Sequence, residues 1–456
     1  IKLFPRKAGD TFPFAELGDS DELKVGDWTM NMGNAQLLST DFTPSVSFGL
    51  LSGVNRYTDF GFAEHTDALQ YDTAANQGNS GGPIFNSKGQ VVGLVFGGAP
   101  GKRGAFNTGI GYGLPINMAK NFLGHMRAGL YCDHATLGAT VSNDSAGDEG
   151  LRPKMVVNQV LENSDAFRRG IGEGDVLLSF AGRPLGSVNQ FKSALGIYPK
   201  EWRMPLTYRK AVDREKRGSE QDVLVRLMSA TPPVIKPKKG AAPPPPAPKG
   251  FGEGMKYFET RKGFANYFYN KQARDNLLAT TKKVADYSGL TGEWSMTGTY
   301  ERDKRPGDFL AKIADTADGK AVVSLQLGLT DYKFDPFNIL LPPDERLDPP
   351  FSGGLMMALY QHRHFLSQGM KGFDEERFFH AGTEPVYIMP EDGTKPKNFA
   401  DVRGEHLGIN DARFRWVVLD QNEQALNRVA QLAGIAGPVL SLQHRHSVFA
   451  DSQGAK

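Results

Sequence analysis

Alternating apolar and polar residues, interrupted by glycine and Asn/Asp turns, fill the first quarter of the chain. This pattern predicts short strands at residues 27–32, 46–51, 89–96 and 111–116. Short strands joined by tight turns are typical of an antiparallel barrel. The apolar spacing becomes helical at residues 117–126, which predicts a helix directly after the barrel.

A second pattern of strands and short helices occupies residues 127–230. Residues 174–185 predict a strand that ends in a tight glycine turn, and apolar residues at helical spacing predict a short helix over 188–195. The glycine-rich stretch at 170–174 precedes a strand and opens no helix. It therefore lacks the context of a dinucleotide-binding loop.

Proline marks the next boundary. Residues 231–250 hold eight prolines in twenty positions, so this stretch lacks the backbone N–H groups that a sheet needs and favours an extended conformation. It predicts a semi-rigid linker, and a role as a proline-rich ligand for another domain is the open alternative.

Residues 251–456 predict an α+β domain with an antiparallel sheet. An aromatic-rich helical pattern covers residues 257–287, and a second predicted helix covers 355–367. The predicted strands of this domain are 292–302, 309–314, 321–327, 377–381, 413–420 and 439–448.

Composition narrows the class of protein without identifying it. A length of 456 residues is typical of two to four domains. The net charge of +2 gives no electrostatic case for nucleic acid or for an acidic membrane surface as a partner. No apolar run approaches the roughly 18 residues that cross a bilayer. Cys132 is the single cysteine, so no intrachain disulfide can form.

The most specific chemical signal is the sequence Gly-Asn-Ser-Gly-Gly-Pro at residues 78–83. A nucleophilic serine must be presented on a tight turn, beside N–H groups that face the same reacting carbonyl. Gly78 can adopt a positive φ without Cβ strain, so the N–H groups of Gly78 and Ser80 can converge into an oxyanion hole. The alternative is a glycine-rich turn with a solvent-facing serine. The hairpin predicted directly after it, with a turn at residues 86–89, favours the first interpretation.

Three stretches around this serine resemble the HtrA/Deg family of trypsin-like serine proteases. Residues 72–86 closely resemble the family's active-site segment, and residues 17–28 resemble the run before its central strands. Residues 109–117 resemble the strand that closes its primary specificity pocket. The resemblance covers residues 1–228 and implies a mainly β chain whose first domain is the second barrel of a trypsin-like fold.

The resemblance implies a role for each residue of the site. Ser80 would be the nucleophile, and the backbone N–H groups of Gly78 and Ser80 would form the oxyanion hole. The substrate-binding residues would be Ala74, Asn79, Gly111, Tyr112 and Gly113. A small apolar floor at Ala74 predicts aliphatic rather than basic residues at the cleaved position. No cofactor and no metal are implied.

Two further expectations concern the parts that complete such a site. Residues 1–4 resemble the strand that follows the triad aspartate in this family, and neither the triad histidine nor the aspartate is found by motif. We therefore expect most of the first barrel to be missing and the chain alone to be inactive. The loop at residues 97–108, with Lys102 and Arg103, is expected to be a regulatory loop beside the pocket.

Residues 127–230 resemble a PDZ domain of the kind that follows HtrA-type proteases. In such domains a peptide adds as a strand between a sheet edge and a helix, and loop N–H groups hold its C-terminal carboxylate. The loop here would be Thr136, Leu137, Gly138 and Ala139. Because threonine is not the commoner residue before Leu-Gly in these loops, a packing or regulatory module stays the open alternative.

The histidines are assigned structural roles. His65 is expected in a surface loop rather than as the general base, and His125 and His134 are expected at the junction of the two domains. The sequence Gln-His-Arg-His occurs at residues 361–364 and 443–446. Neither copy is completed by a well-spaced Cys, Asp or Glu, so solvated histidines are favoured over a metal site.

The predicted domains are a partial protease domain at 1–126, a PDZ-like domain at 127–230, a linker at 231–250 and an accessory domain at 251–456. The expected partners are protein or peptide substrates and peptide C-termini, with no nucleic acid and with a possible homo-oligomer. By resemblance the location would be the periplasm or cell envelope. The alternative function is a peptide-binding pseudoprotease or an envelope scaffold without catalysis.

Overall fold

A computed structural model defines the structure. It describes the following residues: 7, 9, 11–41, 43–59, 64–98, 109–144, 154–211, 218–230, 252–284, 292–302, 305–315, 321–337, 359, 363–364, 367–371, 378–385, 403–409, 411–418, 428–433 and 440–444. The linker 231–250, nearly all of the predicted regulatory loop and most of the predicted helix 355–367 lie outside the described residues.

Six antiparallel strands close into a barrel in the first part of the chain, in the order β1-β2-β3-β6-β5-β4. The strands are β1 Trp28–Gly33, β2 Ser45–Asp59, β3 Glu64–Tyr71, β4 Pro83–Phe85, β5 Val91–Gly98 and β6 Gly111–Pro115. Helix α1, Ile116–Arg127, follows at once. The mainly β class, the antiparallel barrel and the helix after it are confirmed.

Apolar side chains from alternate strand positions fill the barrel. Its core consists of Leu51, Leu69, Tyr71, Ile84, Val92 and Val95. Strand β3 was not predicted, because its sequence begins with four polar residues and its fourth residue, Asp67, is buried with φ 55°. A buried carboxylate in a left-handed backbone conformation breaks the alternation on which strand prediction depends.

A second antiparallel sheet follows the barrel, with the strand order β13-β12-β10-β9-β8. Two further strands, β7 and β14, pair with each other, and β11 pairs with β10. The elements are β7 Ala135–Thr136, β8 Ala139–Asp144, β9 Lys154–Val160, α2 Asp165–Arg168, β10 Val176–Phe180, β11 Arg183–Pro184, α3 Val188–Gly196, β12 Arg203–Arg209, β13 Glu220–Arg226 and β14 Met228–Ser229.

Helix α3 begins where it was predicted, because Ser187 caps it. The Ser187 hydroxyl accepts the Gln190 N–H, which would otherwise have no partner in the first helical turn. The helix packs against the barrel strands β2 and β3. Ser193 Oγ lies 3.2 Å from the Asp67 nitrogen and accepts its N–H, while Lys192 Nζ donates to the Tyr57 hydroxyl at 2.8 Å.

The barrel and the second sheet form one compact unit, residues 1–123 with 133–233. A second unit comprises residues 124–132 with 234–456. The boundary at residue 126 that was predicted between a protease and a PDZ-like domain stays a prediction, as does the separate linker.

The second unit combines helix α4, Tyr267–Val284, with two antiparallel sheets. The first sheet is β15 Trp294–Arg302, β16 Arg305–Asp315, β17 Ala321–Leu327 and β18 Thr330–Phe337. The second is β19 Phe378–Pro385, β20 Arg403–Ile409, β21 Asp411–Val418, β22 Arg428–Ala433 and β23 Leu440–His444.

The predicted start of helix α4 at residue 257 is wrong by ten residues. A 3-10 segment, Gly252–Tyr257, comes first, and α4 then begins beside Asn266. The Asn266 Oδ1 accepts the Phe268 N–H at 3.1 Å, and its Nδ2 donates to the Tyr257 carbonyl at 2.9 Å. The asparagine thus caps the helix and holds the preceding turn against it.

Candidate active site

Ser80 lies on the exposed turn between β3 and β4. Its Oγ donates to the Phe96 carbonyl oxygen at 3.4 Å, on the neighbouring strand β5. Backbone bonds tie the turn to the same strand, since the Gly81 N–H donates to Val95 O at 2.7 Å and the Val95 N–H donates to Gly82 O at 2.9 Å. The hydroxyl is therefore presented on a turn that the barrel holds in place.

Gly78 has the conformation that only glycine adopts without strain. Its φ is +96°, and a Cβ built on it would lie 2.1 Å from the Asn34 carbonyl oxygen. Within the described part of the chain, neither the Gly78 N–H nor the Ser80 N–H donates to a protein acceptor. Whether the two N–H groups face one substrate oxygen beside the Ser80 hydroxyl stays a prediction.

Asn79, a predicted substrate-binding residue, lies behind this turn and is 3% exposed. Its N–H donates to Asn76 O at 3.1 Å, and its Nδ2 lies 3.4 Å from Ala74 O. These contacts connect the predicted pocket floor to the Ser80 turn through the inner side of the loop. Direct contact between Asn79 and a substrate side chain stays a prediction.

The predicted pocket wall is strand β6. Gly111 and Gly113 are buried and face the barrel core, where a Cβ on Gly111 would lie 2.1 Å from the Tyr71 ring and one on Gly113 would lie 2.3 Å from Ile84 Cδ1. The Tyr71 hydroxyl donates to Tyr112 O at 3.2 Å. Burial raises the pKa of Tyr71 far above its ordinary value, so the phenol stays neutral and donates this bond.

Three rings stack on the outside of the barrel next to Ser80. The His65 ring centroid lies 3.9 Å from that of Phe96, and the Phe96 centroid lies 6.0 Å from that of Tyr112. The expectation that His65 lies in a surface loop is wrong, since it is the second residue of strand β3. Burial lowers the pKa of His65, and repulsion from His134 adds to this, which favours the neutral imidazole.

Phe96 is the residue that sequence reasoning missed. Its carbonyl accepts the Ser80 hydroxyl while its ring lies between His65 and Tyr112. The only sequence signal was its position at the end of an apolar strand that pairs with the strand after the serine turn.

The predicted carboxylate-binding loop lies between β7 and the edge strand β8. Leu137 is buried, and Gly138 has φ +76°. The Gly138 N–H donates to Thr136 Oγ1 at 3.3 Å, so one of the loop's N–H groups already has an acceptor within the loop. Helix α3 stands next to β8, where Asn143 Oδ1 accepts the Val188 N–H at 3.1 Å.

Three further histidines whose side chains the structure describes lie in separate parts of the fold. His134 Nδ1 lies 2.6 Å from Gly196 O, His125 is buried on α1, and His364 contacts the Lys371 carbonyl. Over the residues that the structure describes, no three His, Cys, Asp or Glu side chains are placed to share a metal ion. The other three histidines of the two Gln-His-Arg-His copies have side chains outside the described set.

In the described helices we find none that is both long enough and apolar enough to cross a bilayer.

Comparisons with known proteins find serine proteases. A family model described as a trypsin-like peptidase domain matches residues 1–94. A "Probable serine protease do-like" of Buchnera aphidicola subsp. Acyrthosiphon pisum (strain APS) is 30% identical over 214 residues, which cover 45% of this chain and 43% of that protein. A "Probable periplasmic serine endoprotease DegP-like" of Pseudomonas putida (strain GB-1) is 35% identical over 191 residues, covering 39% of this chain and 36% of that protein.

Among solved structures, the HtrA-type protease AlgW with a decapeptide matches with a TM-score of 0.36 and 22% identity, over 48% of this chain and 66% of that chain. The chain spans less than half the length of the two curated relatives described above. The barrel and its serine turn define a trypsin-like serine protease domain. Over the part of its length that these matches cover, the chain is similar to serine proteases of the HtrA/Deg type.

Proposed function

We propose that the whole protein is a serine endopeptidase of the HtrA/Deg type, which cleaves protein substrates through an acyl-enzyme on Ser80. One observation carries this proposal. The Ser80 hydroxyl is exposed on a turn whose Gly78 and Ser80 N–H groups have no acceptor among the described residues. Acyl transfer needs this combination of an accessible nucleophile and two adjacent donors.

The reaction follows from these groups. Ser80 Oγ attacks the scissile carbonyl carbon while its proton passes to a histidine base, and the carbonyl becomes an oxyanion that the two N–H groups bind. Each such donor contributes about 2.7–4 kcal/mol of transition-state stabilisation. The amine then leaves with the proton from the histidine. Water attacks the remaining ester with the help of the same base and restores the Ser80 hydroxyl.

We further propose that this 456-residue stretch does not turn over substrate by itself. In the described part of the chain, the hydrogen-bond partner of Ser80 Oγ is the Phe96 carbonyl, which cannot accept a proton as a general base does. His65 is stacked on the Phe96 ring instead of being hydrogen-bonded to the serine. The triad histidine and aspartate would come from elsewhere in the whole protein.

The substrate preference we propose is aliphatic at the cleaved position. The predicted pocket is formed by Ala74, Gly111, Tyr112 and Gly113, with Asn79 behind its floor, and none of these side chains is charged. The neutral Tyr71 phenol beneath the wall adds no negative charge that would attract lysine or arginine.

For residues 127–230 we propose peptide binding at the edge of β8, beside α3, with Thr136, Leu137, Gly138 and Ala139 near the carboxylate. The open edge of β8 and the adjacent helix support it.

We also propose a periplasmic or envelope location, because a relative carries that description. Residues 251–456 would form an accessory domain, and the whole protein is a candidate homo-oligomer.

The second function we consider is a pseudoprotease that binds peptides without cleaving them. The neutral, stacked His65 and the absence of a base at Ser80 in the described residues favour it for this stretch. Hydrolysis of an unfolded protein by the full-length gene product separates the two. Turnover that disappears in Ser80→Ala and persists in Ser87→Ala, an exposed serine of the following turn, supports the protease. Peptide binding without any turnover supports the pseudoprotease.

A further inference from the structure

A cavity of about 390 Å³ lies within the first unit, between the barrel and the second sheet. Its apolar walls include Leu23, which precedes β1, Val54 and Leu69 of the barrel strands, Pro184 of β11 and Ala194 of α3. Neither Ser80 nor any residue of the predicted pocket lines it. Its volume is within the range of small-molecule sites, which are mostly apolar with a few polar groups that fix orientation.

One wall of the cavity carries a buried carboxylate. Asp67 is 3% exposed, and its Oδ1 accepts both Arg183 Nη1 and Asn55 Nδ2, each at 2.7 Å. No described residue donates to Oδ2. Asp67 lines the cavity, and Oδ2 is the oxygen of this carboxylate that has no described donor.

The charges around the cavity do not balance. Arg183 also donates from Nη2 to Asp21 Oδ1 at 3.2 Å, so one guanidinium faces two carboxylates. Burial raises the pKa of Asp67 although Arg183 opposes the effect, which indicates that the arginine only partly offsets the loss of hydration. A second cation next to Oδ2 would stabilise the ionised carboxylate further.

The chemistry of the lining favours an organic cation over a metal ion or an anion. The cavity offers two carboxylates but no histidine or cysteine, and over the described residues no three His, Cys, Asp or Glu side chains are placed to share a metal ion. An anion would have to approach two carboxylates to reach Arg183. The apolar walls suit a hydrocarbon body that an inorganic ion lacks.

We propose that this cavity binds a small organic cation, with an ammonium or amidinium group hydrogen-bonded to Asp67 Oδ2 and Asp21 and an apolar body against Leu23, Val54 and Leu69. The site is independent of the Ser80 chemistry, because the cavity and the serine turn share no residue.

The test uses three probes with the same ring and different charge: benzylamine, benzyl alcohol and benzoate, each titrated into the full chain by calorimetry at one ionic strength. We expect saturable binding of benzylamine and at least about tenfold weaker binding of the other two, since only the amine replaces the missing cation. Benzoate binding as tightly would assign recognition to the remaining N–H groups of Arg183, and equal binding of benzyl alcohol would assign it to the apolar walls. Either result, or no saturable binding of benzylamine, overturns the proposal.

Variants locate the binding. Asp67→Asn keeps the acceptor oxygen and the left-handed backbone that asparagine tolerates, so we expect a folded protein that binds benzylamine about tenfold more weakly. Asp21→Asn should weaken binding severalfold, and Glu22→Gln, which removes a neighbouring exposed carboxylate outside the cavity, should not change it. If Asp67→Asn fails to fold, the affinity of Asp21→Asn for benzylamine tests the proposal instead. Unchanged affinity in the folded variants places the amine elsewhere and contradicts the proposal.

Discussion

The carbonyl oxygen of Asn34 lies 2.1 Å from the point where a side chain on Gly78 would begin. No side chain fits there, and φ +96° is strained for any residue that has a Cβ. The turn that presents Ser80 therefore depends on this glycine for its shape.

We predict that Gly78→Ala displaces the turn and its N–H group. In the full-length gene product, labelling of Ser80 by a fluorophosphonate should fall by about 10²–10³-fold, the range for loss of one oxyanion donor. Urea unfolding should show a loss of about 1–3 kcal/mol from backbone strain. Gly81→Ala is the matched control. Its φ is +85°, but no atom lies within 4 Å of the added Cβ, so strain occurs without collision. Equal labelling of the two variants would contradict the assignment of the Gly78 N–H.

Stability should depend on pH through His65. Burial lowers the pKa of His65 in the folded state below the ordinary value of 6.5, so the unfolded chain binds the proton more readily. The contribution of neutral His65 to the free energy of unfolding is complete above pH 6.5. It is lost as the pH falls from there through the lower folded-state pKa. His65→Phe keeps a ring on Phe96 and cannot titrate, so it should remove this part of the pH dependence. Urea unfolding at a series of pH values measures it, and an unchanged slope in His65→Phe would show that other groups cause the acid sensitivity.

Asn270 joins helix α4 to strand β19 in the second unit. Its Nδ2 donates to Ala128 O and to His380 O, both at 2.8 Å, and its Oδ1 accepts the His380 N–H at 3.1 Å. We predict that Asn270→Ala destabilises this unit by about 3 kcal/mol, because buried backbone groups lose their partners.

Asn276→Ala, on an exposed position of the same helix, should change stability by less than about 0.5 kcal/mol. Chemical denaturation followed by tryptophan fluorescence, to which Trp294 of this unit contributes, measures both variants. A loss for Asn270→Ala no larger than that for Asn276→Ala would show that the three hydrogen bonds contribute little.

Local patterns in the sequence predicted the parts of the fold that local chemistry determines. Glycine turns and alternating apolar residues located most of the barrel strands, and the spacing of Val188, Phe191 and Leu195 located helix α3. The cap at Asn266 was available as a signal for the start of α4, since asparagine directly before a helical pattern is a start signal.

The interactions that were not predicted join distant residues. Asp67 and Arg183 are 116 positions apart, and neither residue's neighbours indicate that they pair. The stacking of His65 on Phe96 likewise depends on strand pairing through β6 rather than on any local motif. The roles that we propose for Ser80 and Gly78 rest on a continuous sequence motif, whereas the residues around that motif are brought together by tertiary structure.

We propose that Ser80 is an acyl-accepting nucleophile that needs a base from outside these residues. The most direct measurement is fluorophosphonate labelling followed by mass spectrometry, carried out in parallel on the full-length gene product and on the 456-residue chain. We predict a single modified residue, Ser80, in the first protein and only trace modification in the second. A full-length protein that stays unlabelled at Ser80, or a 456-residue chain that is labelled just as efficiently, would contradict this account.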